Sequence, residues 1–120
     1  MTVPITVPIT MVEFPADDAA RARRFWGEFA GVSFEERRGT DGEGWQAIVA
    51  GDGPALGIHE RGAGPGDRFS LPYLEVDDLQ GSLERVAALG GEVIHPGQRW
   101  AICRDSEGSP FGLMAATRGR

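Results

Sequence analysis

The chain repeats one sequence pattern twice, and this internal repeat limits its fold more than any other feature. A shift of 60 positions superposes the aspartate pairs at 17–18 and 77–78, each of which follows a short apolar segment. Beyond a loop that is five residues shorter in the second copy, a shift of 55 positions superposes Trp45 on Trp100. A register with a single gap over some 50 positions indicates two copies of one structural unit.

Each copy predicts a strand, a helix and three further strands. A short alternating segment is typical of a strand, the aspartate pair offers a helix N-cap, and a glycine at 31 or 90–91 stands where a left-handed helix end is expected. Turn signals after the helix separate three more strands. The predicted strands are 12–14, 33–37, 45–50 and 55–59 in the first copy and 73–76, 92–95, 100–104 and 111–115 in the second, with helices over 18–30 and 78–89.

The first predicted helix carries an apolar stripe. Its members recur at helical spacing, and they are Ala22, Phe25, Trp26 and Phe29. A stripe of this kind is typical of the helix face that packs on a protein core. We therefore expect Phe25 and Trp26 to belong to the core.

Composition limits the classes of protein to which the chain can belong. Its 120 residues allow one domain, and its single cysteine excludes an internal disulfide framework. The net charge of −6 disfavours nucleic-acid binding, which rests on basic side chains. No apolar run suits a membrane span and no signal peptide is evident, so we expect a cytoplasmic protein. All twelve cationic residues are arginine, and the chain contains no asparagine. This bias is typical of a GC-rich bacterial genome.

The first ten residues stand apart from the repeat. They contain the pentapeptide TVPIT twice, and Pro4 and Pro8 disfavour a central strand or a helix there. We interpret residues 1–10 as an N-terminal arm, either extended along an edge or disordered. The glycine-rich segment 62–67 is interpreted as the linker between the two copies.

Three segments carry a resemblance to a known family. They are VEFPADD at 12–18, LEVDDL at 74–79 and RDSEGSPFGL at 104–113. Together with the duplicated βαβββ unit, they resemble the glyoxalase/bleomycin-resistance/extradiol-dioxygenase superfamily, whose members are also called vicinal oxygen chelate proteins. The resemblance covers about residues 11–116.

The resemblance implies an architecture. The fold is expected to be α+β, with two βαβββ modules that form a cupped, incomplete barrel and carry their helices on the outer face. The first module is about 11–61 and the second about 68–116. The resemblance also implies a small-molecule cavity between the modules and a homodimer.

The resemblance further implies where a metal would be held. Metal-dependent relatives place His or Glu ligands early in the first strand and on the last strand of each module, and the matching positions are Met11, Gly57, Leu71 and Gly112. None of these residues has the imidazole or carboxylate donor that such metals require. We therefore expect the usual metal site to be absent, and we expect no other cofactor.

The candidate site residues lie two positions beyond those points and face the same side of their strands. They are Glu13, His59, Tyr73 and Met114. In the resembled fold, Glu13 would lie beside His59. This arrangement is interpreted as a general acid–base pair, as a hydrogen-bonding site for a ligand, or as an ordinary strand ion pair. Glu75 is a further candidate ligand-binding residue, and it could form a displaced metal site with Glu13 and His59.

Two tryptophans occupy matching places in the repeat. If Trp45 and Trp100 face inward, they wall the cavity with flat apolar surface that suits an aromatic ligand. If they face the helices, they belong to the core. Both interpretations stand at this point.

The sequence supports more than one function. We expect a protein that binds a small apolar or aromatic molecule without the usual metal. The alternative is an enzyme of lyase, isomerase or dioxygenase type that uses Glu13 and His59, either without metal or with an atypical metal. A third interpretation is a non-catalytic dimer platform whose cavity is filled by Met11, Leu71 and Met114.

Overall fold

The structure is a computed structural model, and it describes residues 7–37, 44–47, 54–62 and 68–116. The predictions for residues 1–6, for strand residues 48–50 and for most of the 62–67 linker lie outside the described residues.

The chain forms the βαβββ unit twice, as the repeat predicts. The first module contains β1 (Ile9–Ala16), α1 (Ala19–Ala30), β2 (Glu35–Glu36), β3 (Trp45–Ala47) and β4 (Ala55–Glu60). The second module contains β5 (Leu71–Val76), α2 (Leu79–Ala88), β6 (Glu92–His95), β7 (Trp100–Arg104) and β8 (Pro110–Ala115). The strand β1 begins within the segment interpreted as an arm, and the Pro8 carbonyl accepts a hydrogen bond from the Glu75 amide at 2.9 Å.

One eight-stranded sheet joins the two modules in the order β2-β3-β4-β1-β5-β8-β7-β6. Within each module the first and last strands are parallel neighbours, β1 with β4 and β5 with β8. The strands β1 and β5 pair in the antiparallel direction where the modules meet. The sheet is mixed and does not close on itself, which confirms the predicted α+β fold with two modules in an incomplete barrel.

The helices begin at the aspartates that the sequence marks. The Asp18 carboxylate accepts a hydrogen bond from the Arg21 amide at 3.0 Å, and Asp78 accepts one from the Gly81 amide at 3.0 Å. The backbone N–H of Arg21 holds the pKa of Asp18 below its usual value. Helix α1 ends at Gly31, whose φ of 71° is the left-handed conformation that glycine adopts without strain.

The helices pack on one side of the sheet, which we call the outer face. Under α2 the core contains Leu79 and Leu83 together with Ala101, Cys103 and Leu113. Cys103 is fully buried, and this burial raises the pKa of its thiol. Neither of the described helices is long and apolar enough to cross a lipid bilayer.

The apolar stripe of α1 is buried on one side only. Ala22 and Trp26 pack against the sheet, and the Trp26 ring stacks on Phe14 with centroids 4.7 Å apart. Phe25 and Phe29 are 57% and 76% exposed and stack on each other. The prediction that the Phe25 ring belongs to the core is wrong, because the stripe is wider than the contact that the sheet offers and its far row faces solvent.

Candidate functional site

The side of the sheet opposite the helices, which we call the inner face, carries a second set of buried side chains. Strand alternation places Met11 and Glu13 of β1 there, as well as Leu71 and Tyr73 of β5. All four are buried. Met11, Leu71 and Tyr73 form an apolar cluster with Ile102 of β7, so the centre of the inner face is filled by the chain's own side chains.

A buried carboxylate is the chemical centre of this face. Glu13 is 6% exposed, and the guanidinium Nη1 of Arg37 donates to its Oε2 at 2.6 Å. The hydroxyl of Tyr73 donates to Oε1 at 3.3 Å. A buried charge is tolerated only when it is paired and hydrogen-bonded, and these partners meet that requirement. We call Glu13, Arg37, His59 and Tyr73 the polar cluster.

His59 lies in the polar cluster beside Glu13, where the sequence places it. Its Nε2 is 3.8 Å from Oε1 of Glu13, which is too long for a hydrogen bond. Its Nδ1 is 2.9 Å from the carbonyl oxygen of Glu60. Because a carbonyl oxygen only accepts, Nδ1 carries a proton and donates it to this oxygen.

Arg37 is a member of the polar cluster that sequence reasoning missed. It follows β2 directly, its amide donates to the Gly44 carbonyl at 2.9 Å, and its guanidinium Nη2 lies 3.2 Å from the sulfur of Met11. A signal was present, because a glutamate predicted to face an apolar interior requires a cationic partner. Neither the repeat nor strand alternation shows which of the arginines supplies it.

The guanidinium of Arg37 lies in space that a glycine leaves. A Cβ atom at Gly57 would collide with Nη2 of Arg37 and would lie 2.9 Å from the sulfur of Met11. In the second module, a Cβ atom at the matching Gly112 would collide with the ring of Tyr73. Side chains from elsewhere in the chain therefore occupy the space beside both glycines.

The residues at the implied metal positions do not fit a divalent ion. The four positions hold two glycines, Met11 and Leu71, and a guanidinium lies against two of them. Among the described residues, no group of three His, Cys, Asp or Glu side chains is placed to share an ion. The displaced site from Glu13, His59 and Glu75 is therefore not assembled, since Glu75 lies beside Met114 further along β5.

The second module contributes an apolar part of the inner face. Trp100 lies opposite Met114, stacks on His95 with centroids 4.9 Å apart, and packs on the cluster around Ile102. A cavity of about 260 Å³ opens further along β7, beside Ile102, and its lining is mixed: it is formed by Phe69, Ile94, Ile102, Cys103, Arg104, Glu107, Gly108, Ser109 and Pro110. We call it the inner-face cavity.

The two tryptophans face opposite sides of the sheet. Trp45 lies opposite Ile58 and packs under α1, where the guanidinium of Arg23 stacks on its ring at 4.3 Å. It packs with the core residues under α1, which is the second of the two interpretations that the sequence left open. The structural counterpart of Trp45 is Ala101, which lies opposite Leu113 as Trp45 lies opposite Ile58. The repeat therefore needs an offset of 56 at this strand, and a one-residue change of register reverses the face.

The comparisons with known proteins agree with this geometry. The duplicated βαβββ fold is the one found in a solved member of the glyoxalase/bleomycin resistance protein/dioxygenase superfamily. The chain belongs to the family described as the glyoxalase-like domain, whose sequence profile matches residues 11–114. No curated protein matches the chain.

Several solved structures share the fold at low sequence identity. Methylmalonyl-CoA epimerase from Mycobacterium tuberculosis is 13% identical with a TM-score of 0.72, and the match covers 98% of this chain and 93% of that one. A glyoxalase/bleomycin resistance protein/dioxygenase superfamily member from Vibrio splendidus 12B01 is 16% identical with a TM-score of 0.62, covering 92% and 100%. An NAD-dependent benzaldehyde dehydrogenase from Legionella pneumophila is 11% identical with a TM-score of 0.66, covering 89% and 98%. These different names show that the fold alone does not define a reaction.

Proposed function

We propose that this protein binds a small molecule that has an apolar or aromatic part on the inner face of its sheet, without a divalent metal at the four implied positions. The observation that carries the proposal is the cavity on the inner face, whose lining combines the apolar side chains of Phe69, Ile94 and Ile102 with polar ones from Arg104, Glu107 and Ser109. An apolar pocket with a few convergent polar groups is the usual form of a small-molecule site.

The size of the inner-face cavity and the apolar part of its lining support a modest ligand. Its volume of about 260 Å³ exceeds the roughly 150 Å³ that holds a benzene molecule in an apolar protein cavity. Phe69 and Ile94 expose apolar surface at its wall, and burial of such surface contributes about 25 cal/mol per Å². A ligand with one or two rings therefore fits the space and gains free energy by entering it.

A thermal-shift screen of small aromatic compounds and antibiotics tests this proposal. A compound present at about 100 times its Kd adds about 2.7 kcal/mol to the free energy of unfolding, which is readily detected as a rise in Tm. The variant Ile94→Trp fills the cavity at a half-buried position and should lose the response. Phe25→Ala, on the exposed side of α1, is the matched control and should keep it. A screen without any response, or an unchanged response in Ile94→Trp, contradicts the proposal.

An acid–base enzyme is the second candidate, because Nε2 of His59 lies 3.8 Å from the Glu13 carboxylate. A bound substrate could come between these groups and exchange a proton with the imidazole. Turnover that survives chelation and is lost in His59→Ala would support the enzyme. Metal analysis of protein purified without an affinity tag distinguishes a metal-free acid–base enzyme from one with an atypical metal site. Stoichiometric zinc, nickel, iron or manganese would support the atypical metal site.

We also propose that the protein is a homodimer. The stacked, exposed rings of Phe25 and Phe29 support an association surface, because aromatic residues are enriched at protein interfaces. Sedimentation or light scattering measures the mass, which should be twice 12.9 kDa. A monomeric mass at micromolar concentration contradicts this proposal. Location in a bacterial cytoplasm stays a prediction from composition.

A further inference from the structure

We propose that the inner-face cavity takes an aromatic zwitterion of the α-amino acid type, in which a ring is joined by a short link to one carboxylate and one ammonium group. Arg104 receives the carboxylate, Glu107 receives the ammonium group, and the ring lies against the apolar wall of the cavity. This inference rests on the proposed small-molecule function and names the chemical class of the ligand.

The turn between β7 and β8 forms one end of the cavity, and one of its own side chains holds it in place. Oδ1 of Asp105 accepts hydrogen bonds from the amides of Glu107 and Ser109, each at 2.9 Å. The Asp105 amide donates to the carbonyl of Ser109 at 2.9 Å, and Gly108 has a φ of 87° that glycine adopts without strain. An aspartate that binds the backbone of its own turn stabilises that turn. Glu107 and Ser109 therefore line the cavity from a preformed backbone.

The strands place an apolar end and a charged end of the cavity on the same face of the sheet. Ile102 and Arg104 are two residues apart on β7, so their side chains point to one face. Ile94 packs with the cluster around Ile102, and Arg104 lies opposite Pro110. The Cα atoms of Ile102 and Arg104 are about 7 Å apart along an extended strand. That separation suits a ring and a head group that are joined by a short link.

The wall opposite the charged end offers an aromatic surface and enough space for a ring. Phe69 lines the cavity and is 56% exposed, so a ligand ring that packs on it removes apolar surface from water and gains an aromatic contact. The cavity volume of about 260 Å³ exceeds the roughly 150 Å³ that holds a benzene molecule in an apolar protein cavity. The difference leaves room for a small head group.

The two charged side chains that line the cavity have opposite signs, and they belong to Arg104 and Glu107. Nη1 of Arg104 contacts Oε1 of Glu92 at 3.5 Å. Because these side chains are 47% and 65% exposed, their pair contributes little, and a guanidinium carries five donors with which it can also bind a ligand carboxylate. A ligand with only a carboxylate is repelled by Glu107, and one with only an ammonium group is repelled by Arg104. A zwitterion is attracted by both.

Four probes that share a phenyl ring and differ in their head groups test the inference. They are phenylalanine, phenylpropionate without the ammonium group, phenethylamine without the carboxylate, and phenylpropanol with neither charge. Calorimetry or ligand-observed NMR measures their Kd values with the full chain at low ionic strength, where exposed charges are screened least. We expect phenylalanine to bind about fivefold more tightly than either single-charge probe, which is the upper value for one exposed ion pair.

Two variants assign the two preferences to separate residues. Arg104→Met should abolish the advantage of phenylalanine over phenethylamine, because the carboxylate distinguishes these probes. Glu107→Gln should abolish its advantage over phenylpropionate, because the ammonium group distinguishes those. Each variant should keep the other preference. Arg85→Met and Glu84→Gln are the matched controls, since they remove the same charges at exposed positions of α2, and they should keep both preferences.

The outcomes separate this inference from the proposed function. Binding of phenylpropanol without any advantage for phenylalanine overturns the zwitterion and leaves the proposed function in place. An advantage over only one of the single-charge probes also overturns it, as does a preference that survives in its variant or disappears in a control. Failure of all four probes to bind counts against the binding function itself and against this inference with it.

Discussion

The two modules share one backbone plan, but their inner faces have different chemistry. Glu13 in the first module corresponds to Tyr73 in the second, and His59 corresponds to Met114. The first module thus contributes a buried carboxylate and its cation, and the second contributes an apolar wall and a cavity. The outer faces stay alike, since each packs apolar side chains under a helix. A duplicated unit can thus diverge on one face while the packing under its helices stays alike.

The two glycines show this divergence at a single position. Gly57 leaves room for a guanidinium, while Gly112 leaves room for the ring of its neighbour Tyr73. The modules also meet chemically, because the hydroxyl of Tyr73 donates across the junction of β1 and β5 to the carboxylate of Glu13. The phenol of the second module thereby gives a hydrogen bond to the buried carboxylate of the first.

The largest expected effect comes from breaking the ion pair between Arg37 and Glu13 in the first module. Arg37→Met leaves the Glu13 carboxylate buried without its cation, and removal of one partner of a buried pair costs about 3–5 kcal/mol. Urea unfolding followed by tryptophan fluorescence measures the loss. The double variant with Glu13→Gln should recover most of it, because no uncompensated charge remains. A double variant as unstable as the single one would show that packing, and not charge, makes this region stable.

The next effect compares the matched glycines. Gly112→Ala places a methyl group against the buried ring of Tyr73, and overpacking of this kind costs about 1–3 kcal/mol. Gly57→Ala meets the far ends of the Arg37 and Met11 side chains, which can move, so its cost should be smaller. Thermal unfolding of both variants gives the order. Equal losses of stability would mean that the side chains of Arg37 and Met11 are held as rigidly as the ring of Tyr73.

A smaller effect concerns the cap of the second helix. Asp78→Ala removes the acceptor for the Gly81 amide, and the loss of an N-cap of this type costs about 1 kcal/mol. Asp78→Asn is the control, because asparagine caps as well as aspartate and should leave the free energy of unfolding nearly unchanged. The same denaturant titrations measure both. An alanine variant as stable as the natural protein contradicts the capping role.

The smallest effect depends on pH and concerns the first helix. The pKa of Asp18 is lower in the folded state than its usual value of 3.8, because its carboxylate accepts the Arg21 amide. The charged form therefore stabilises the fold above that pH, and the contribution is lost as the pH falls through the lower, folded-state pKa. Asp18→Asn keeps the cap without the charge, so its difference from the natural protein should be present at pH 7 and shrink below about pH 4. A difference independent of pH contradicts this assignment.

The sequence was sufficient for the fold, since the repeat, the capping aspartates and the helix-ending Gly31 each specify a local conformation. It also brought Glu13 and His59 together, because parallel pairing of β1 with β4 follows from the architecture. Strand alternation further placed Tyr73 on the inner face. These successes rest on periodicity, which a sequence displays directly.

The sequence was not sufficient where a loop residue, or the exact alignment of the two copies, determines which face of the sheet a side chain lies on. Arg37 lies just beyond β2, and nothing in the periodicity indicates that its side chain reaches back to Glu13. Trp45 was matched with Trp100 by aligning identical residues, whereas its pairing with Ile58 determines which face of the sheet it lies on. Phe25 and Phe29 were assigned by helical spacing, but the width of the sheet contact limits how much of a stripe is buried.

Alkylation of the buried Cys103 can measure local unfolding around this residue. It is the chain's one thiol, and it lies between β7 and α2 with a raised pKa, so an alkylating reagent has neither access to it nor a reactive thiolate while α2 remains docked. The labelling rate of the natural protein therefore measures how often the packing around this thiol opens.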